Sequence, residues 1–167
     1  MQVIRPFIYL QGSSLPSLLQ KNIMKKMIFD LNEQQLNLGL LIVRVLIGFM
    51  FVLHGIPKLM GGTETWSYVG SSMGFLGIKS GYAFWGFLAA VAEFAGGLLL
   101  IIGLFVRPAS LFLLLTMIVA TIFHYAQNEG FNGASHALED AAVFIGLIIT
   151  GGGKYAFDTI IARKSLQ

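Results

Sequence analysis

The sequence predicts an all-α protein, a single four-helix bundle integral to a membrane, with its N and C termini cytoplasmic. Three observations carry that prediction. Of 167 residues, 56% are hydrophobic and only 11% charged, a composition that does not clothe a water-facing domain. Mean hydropathy is +0.76, concentrated in long apolar runs. In lipid such runs become helices, because a helix satisfies its own backbone hydrogen bonds. Lysine and arginine, finally, are distributed unevenly between the loops.

Residues 1–35 read as a polar extension, with Pro6, Gly12, Pro16 and a basic patch at Lys21, Lys25 and Lys26. They lack the continuous apolar core of a signal peptide. Met24 and Met27 stand beside those lysines, so Met1, Met24 and Met27 are all candidate starts.

The first predicted span runs from Leu36 to His54 and is interrupted by Arg44. About twelve strongly apolar residues favour its insertion by roughly 4 to 7 kcal/mol, against ~3 kcal/mol for a central arginine. The second span covers Tyr82 to Val106 with Glu93 near its middle. The third covers Ala109 to Tyr125, after a short turn at Arg107-Pro108. The fourth, Ala134 to Thr150, is the weakest, because it also carries Glu139 and Asp140. Gly151-Gly152-Gly153 ends it, glycine allowing the positive-φ cap conformation, and does not follow a strand as a nucleotide-binding loop would. Between spans one and two, GGTETWSYVGSSMGFLGIKSG holds Trp66, Tyr68 and Phe75 among glycines and serines. It is compatible with an interfacial or re-entrant element and equally with an exposed loop. The transmembrane domain is thus expected over 36–158, with a cytoplasmic tail at 159–167.

A cytoplasmic N-terminus places Arg5, Lys21, Lys25, Lys26, Arg107, Lys154, Arg163 and Lys164 inside and only Lys58 and Lys79 outside, as the positive-inside rule requires. The net charge of +3 is therefore topological, and no basic stripe with interleaved aromatics points to nucleic acid. The absence of cysteine excludes a disulfide, a thiolate metal site or an iron–sulfur cluster within this chain.

Titratable residues fall into two tiers when depth is counted at about 1.5 Å per helical residue. Arg44 and Glu93, roughly 10 and 16 Å from the cytoplasmic ends of their helices, are the expected buried ion pair, with Glu139 an alternative partner for Arg44. Arg44 shares a helix stripe with Gly48 and Gly55, and Glu93 with Gly86, Ala90 and Gly97; such small-residue faces let helices one and two approach closely. The outer tier comprises His54, His124 and Glu139, with Lys58 at the mouth. Asp140 points about 100° away from Glu139, and Glu139 is expected to face inward because Val143, Gly146 and Thr150 continue its face. The outer tier suits proton relay or hydrogen bonding to a quinone headgroup, while the plainer alternative has these histidines capping helix ends. No metal is assigned.

The same residues form a pattern that resembles the DoxX family of small bacterial membrane proteins. It includes R-x3-G at Arg44 and Gly48, H-G-x-x-K at His54, Gly55 and Lys58, and E-x-x-G-G at Glu93, Gly96 and Gly97. It continues through Gly103, Arg107, Ala109, Ala120, His124 and Glu139 to Gly151, Gly153 and Asp158. Ala156 and Phe157 precede Asp158 where the family pattern has a serine. The resemblance implies a multi-pass protein of the bacterial inner membrane, allied with redox assemblies in which quinone is the electron acceptor. Its expected contacts are the bilayer and other membrane or membrane-associated redox proteins, with a homo-oligomer also compatible and no covalently bound cofactor. A non-catalytic scaffold or assembly factor is the alternative, followed by a small-solute or proton transporter.

Overall fold

The computed structural model describes Ser17 and residues 32–164. The basic patch, the candidate starts and the last three residues of the tail lie outside the described residues. The chain divides into two compact units, Met1–Leu36 and Asn37–Gln167; the second contains the helical bundle.

Among the described residues the protein is helical throughout, with no strand. Its elements are α1 (Glu33–Met60), α2 (Gly62–Gly70), a 3-10 turn (Ser71–Leu76), α3 (Tyr82–Ile102), α4 (Val106–Ala126), α5 (Gly130–Thr150) and α6 (Phe157–Lys164). α1, α3, α4 and α5 are each long and apolar enough to cross a membrane. The four expected spans are therefore present, with α1 running past His54 and α3 ending before Val106.

The core joins Phe51 of α1, Leu100 of α3, Leu113 and Met117 of α4, and Phe144 and Leu147 of α5. Phe51 and Phe144 meet edge to face at 4.9 Å. Leu46, Leu111 and Ile149 remain exposed, apolar side chains that hydrocarbon rather than water must cover.

α1 and α3 cross on glycine. A Cβ placed on Gly97 would fall 2.6 Å from the Gly48 carbonyl, and one on Gly55 2.6 Å from the Phe94 nitrogen, so side chains are excluded and the backbones touch. The expected approach of the Arg44 and Glu93 stripes is found here. Gly86, on the same stripe of α3, meets the Trp66 carbonyl of α2 instead.

The linker between spans one and two is an ordered helical element. Gly55 lies against Phe94, yet α1 ends five residues beyond Gly55 while α3 starts twelve residues before Phe94. At about 1.5 Å per residue, α1 stops roughly 10 Å short of the start of α3. α2 fills that gap, running along α3 with Trp66 beside Gly86 and Gly70 beside Tyr82. The chain breaks between α1 and α2 at Gly62, whose φ of 68° suits glycine. Pro57, inside the last turn of α1, and the Gly61-Gly62 pair are the local stop signals.

At the opposite end of the bundle, Gly151 closes α5 with φ 72°, as the glycine run predicted. Asp158 has a specific task there. Its carboxylate accepts from the Phe105 and Val106 N–H groups at 2.8 and 3.0 Å, capping the start of α4.

Candidate functional site

α1 presents His54 and Lys58 one turn apart on a single face, and that face looks toward α3 and α5. Nζ of Lys58 donates to both oxygens of Glu93, at 2.6 Å each. Glu93 is 3% exposed and lies eleven residues into α3, about 16 Å from the helix start. A lysine and a glutamate thus meet midway along a membrane-spanning helix, where each charge makes the other tolerable. The Trp66 indole donates to the Lys58 carbonyl at 2.9 Å, satisfying an acceptor at the end of α1.

The expected Arg44–Glu93 pair is not formed. Arg44 is 1% exposed and buried in the N-terminal half of α1, and its Nη2 donates to the Tyr155 carbonyl at 3.4 Å. The guanidinium fits against Gly103 and Gly152, which have no side chains to obstruct it, and the carboxylate that acts on it electrostatically is Asp158. Its Nε and Nη1 have no partner among the described residues. The reason for the correction is reach. A long arginine side chain extends toward its own end of the bundle, while α1 continues past His54 to Met60 and so carries Lys58 alongside Glu93. Lys58, expected at the mouth, lies in the last turn of α1 with its side chain 31% exposed and paired with Glu93.

The assignment on α5 is also reversed. Asp140 is 8% exposed and faces the bundle, whereas Glu139 is exposed. Ala134, Ala137, Ala141, Phe144 and Leu147 form the buried stripe, and its helical period includes position 140. Gly146, expected to mark close packing behind Glu139, has nothing near it. His124 lies near the exposed end of α4, with Nδ1 2.6 Å from Oε2 of Glu129; an ionised carboxylate only accepts, so the ring donates.

Sequence reasoning missed His136. Its Nε2 lies 3.6 Å from Oδ2 of Asp140, and its ring centroid is 6.0 Å from that of His54. The available signal was the i, i+4 spacing of His136 and Asp140, which puts both on one face of α5.

Two cavities meet at the lysine–glutamate pair. The first, about 530 Å³, lies among α2, the 3-10 turn, α3 and α4. Tyr68, Trp85, Leu88, Phe112 and Phe123 help to line it, and Lys58 and Glu93 are the only charged residues of that lining. The second, about 310 Å³, is lined by His54, His124, His136 and Asp140 and reaches the other side of Lys58 and Glu93. Of the sequence-derived residues, the structure brings His54, Lys58, Glu93 and His124 around one space and leaves Arg44 and Glu139 outside it.

Residues 39–126 match the DoxX family model. The chain belongs to the DoxX family. It is 31% identical to the inner membrane protein YqjF of Escherichia coli, over 77% of this chain and 95% of that one. It is 33% identical to a Bacillus subtilis protein named "Putative oxidoreductase CatD", over 78% of this chain and 92% of that one. The inner membrane protein YphA of Escherichia coli is 30% identical over 71% of this chain and 87% of its own length. No solved structure matches. With inner-membrane relatives and four apolar helices of spanning length, this DoxX protein is a multi-pass protein of the bacterial inner membrane.

Proposed function

We propose that this DoxX protein is an accessory subunit of a quinone-linked redox process in the inner membrane. In this reading the first cavity receives the apolar body of the quinone, and the Lys58–Glu93 pair meets its carbonyl. The observation that carries the reading is an apolar cavity of about 530 Å³ with its charge confined to one lysine–glutamate pair. The volume lies within the range of ligand pockets, and mostly apolar walls with a few convergent polar groups are the usual form of such sites. A lysine ammonium is a strong donor to a carbonyl oxygen in a low-dielectric site. The name of the Bacillus subtilis relative agrees with a redox role. The chain has no cysteine, so in this reading its own side chains supply no thiol as electron donor. The positive-inside count puts both termini in the cytoplasm and the histidine end of the bundle on the external side.

The test is titration of the detergent-purified protein with a short-chain ubiquinone analogue, read by quenching of tryptophan fluorescence, since Trp85 lines the cavity. Saturable binding is expected, weakened at least tenfold by Ala89→Phe or Ala92→Phe, which fill the cavity. Equal binding in both filled variants, or none in the wild type, rejects the site. A scaffold or assembly role is the second reading, favoured by the full engagement of Glu93 by Lys58. It predicts that partners are lost from the membrane in Lys58 variants and that no quinone binds.

A further inference from the structure

We propose that two copies of this chain pair through the outer face of α5, with Glu139 of each copy accepting a hydrogen bond from His136 of the other. The inference starts from an exposed carboxylate midway along a membrane-spanning helix and does not rest on the quinone reading.

Glu139 is the tenth of the twenty-one residues of α5, about 14 Å from the start of the helix. Glu93 lies at nearly the same depth on α3, about 16 Å from its start, and there Lys58 meets it at 2.6 Å. Glu139 has no such neighbour. It is exposed, and among the described residues the charged group that acts with it is another acid, Asp140. A lone carboxylate facing hydrocarbon at mid-span is costly, and carboxylates at that depth turn toward protein groups that pair with them. Within one copy nothing does so, which leaves the partner group to a second chain.

The surface around Glu139 suits protein rather than lipid. At about 100° per residue, the side of α5 away from the buried stripe divides in two. Phe131, Leu138, Ile145 and Ile149 form an exposed apolar edge fit for hydrocarbon. Between that edge and α1 lie Asn132, Glu139 and Ala142, exposed and either polar or small, with His136 beside them at 70% exposure. A second copy is the occupant this patch fits, because it is complementary to itself. In a two-fold contact each surface meets its own image, so donor and acceptor must share one patch. His136 supplies the donor. Its Nε2 faces Asp140 of its own chain at 3.6 Å, which leaves Nδ1 for Glu139 of the second copy. Both copies insert with the same topology, so the two-fold axis runs along the membrane normal and the two α5 helices lie side by side in the same direction. His136 and Glu139 are then offset by about 4.5 Å along the axis, which a glutamate side chain spans where the helices cross. His54, its ring 6.0 Å from that of His136, borders the same patch. Both histidines line the second cavity, so the second copy adds a wall on its exposed side.

The experiment uses the absence of native cysteine. Ala142→Cys places one thiol on the proposed contact, a turn from Glu139, and Leu98→Cys, 38% exposed on α3, is the control. Inner-membrane vesicles holding equal amounts of either variant are oxidised with copper phenanthroline and run on non-reducing gels. The expected result is a disulfide-linked species of twice the chain mass from Ala142→Cys, at least fivefold more abundant than from Leu98→Cys. Adding Glu139→Ala or His136→Ala lowers its yield at least fivefold, and exchanging the two residues, His136→Glu with Glu139→His, restores it. No linkage at Ala142→Cys, or equal linkage at both positions, overturns the proposal. Linkage that survives both alanine variants overturns the Glu139–His136 contact. Linkage of Ala142→Cys to a different protein in place of its own copy overturns the second copy as the occupant.

Discussion

At the scale of single residues, the Lys58–Glu93 pair sets the chemistry of the bundle. Removing one partner strands the other charge in a low-dielectric interior, which costs more than removing both. Lys58→Met is therefore expected to destabilise the detergent-solubilised protein by about 2 to 4 kcal/mol, and Lys58→Met with Glu93→Gln by clearly less. Unfolding midpoints of the single and double variants check this, and additive losses would argue against direct coupling. Asp158 offers a second test. Its loss frees two N–H groups at the start of α4, so Asp158→Ala is expected to cost about 1 to 2 kcal/mol by the same measurement. What the sequence could not disclose was which cation Glu93 would meet. Charges inside apolar runs announce that a partner exists, but choosing between Arg44 and Lys58 needs the depth of each helix end. The exchange of Glu139 for Asp140 has a similar origin. Adjacent residues differ by about 100°, and either could belong to a small-residue face until the buried stripe is known.

At the scale of elements, glycine governs how α1, α2 and α3 fit together. The crossing at Gly48 and Gly97 leaves no space for a side chain, so Gly97→Val is expected to cost about 1 to 3 kcal/mol through overpacking. Gly146→Val, on the open face of α5, serves as the control with little effect. Thermal unfolding of the two variants separates these outcomes. The four spans were legible because long apolar runs have one solution in lipid. The close approach of α1 and α3 was legible because small residues recur at three- and four-residue intervals. The break after Met60 was harder to read. Pro57 and Gly61-Gly62 are visible stop signals, but the apolar run already has the length needed to cross a bilayer by His54, and nothing in it shows the helix continuing to Met60.

At the scale of the whole molecule, an even number of spans puts the start of α1 and the end of α5 on the same side. By the positive-inside rule that side is expected to be the cytoplasm. Absence of native cysteine makes the assignment directly measurable, since any introduced thiol is the only one in the chain. Asn128→Cys, in the turn between α4 and α5, is expected to react with a membrane-impermeant maleimide on spheroplasts. Lys154→Cys is expected to react only after lysis. The reverse pattern would invert the protein and place the histidine compartment in the cytoplasm. α6 fits the same topology: Phe157, Ile160 and Ile161 are exposed apolar side chains, with Arg163 and Lys164 in its last turn, a composition suited to lying along an anionic leaflet.

The interruption at Gly62 also bears on how a guest would arrive. A continuous first helix would wall the apolar cavity with a rod that could yield only by moving along its whole length. Here the wall includes a nine-residue helix that lies backbone against backbone on α3 at Gly86 and Gly70 and is tied to α1 by the indole of Trp66. Tyr68 on that helix is 69% exposed and yet lines the cavity, so on the quinone reading a greasy molecule has a sideways approach from the hydrocarbon that crosses no water.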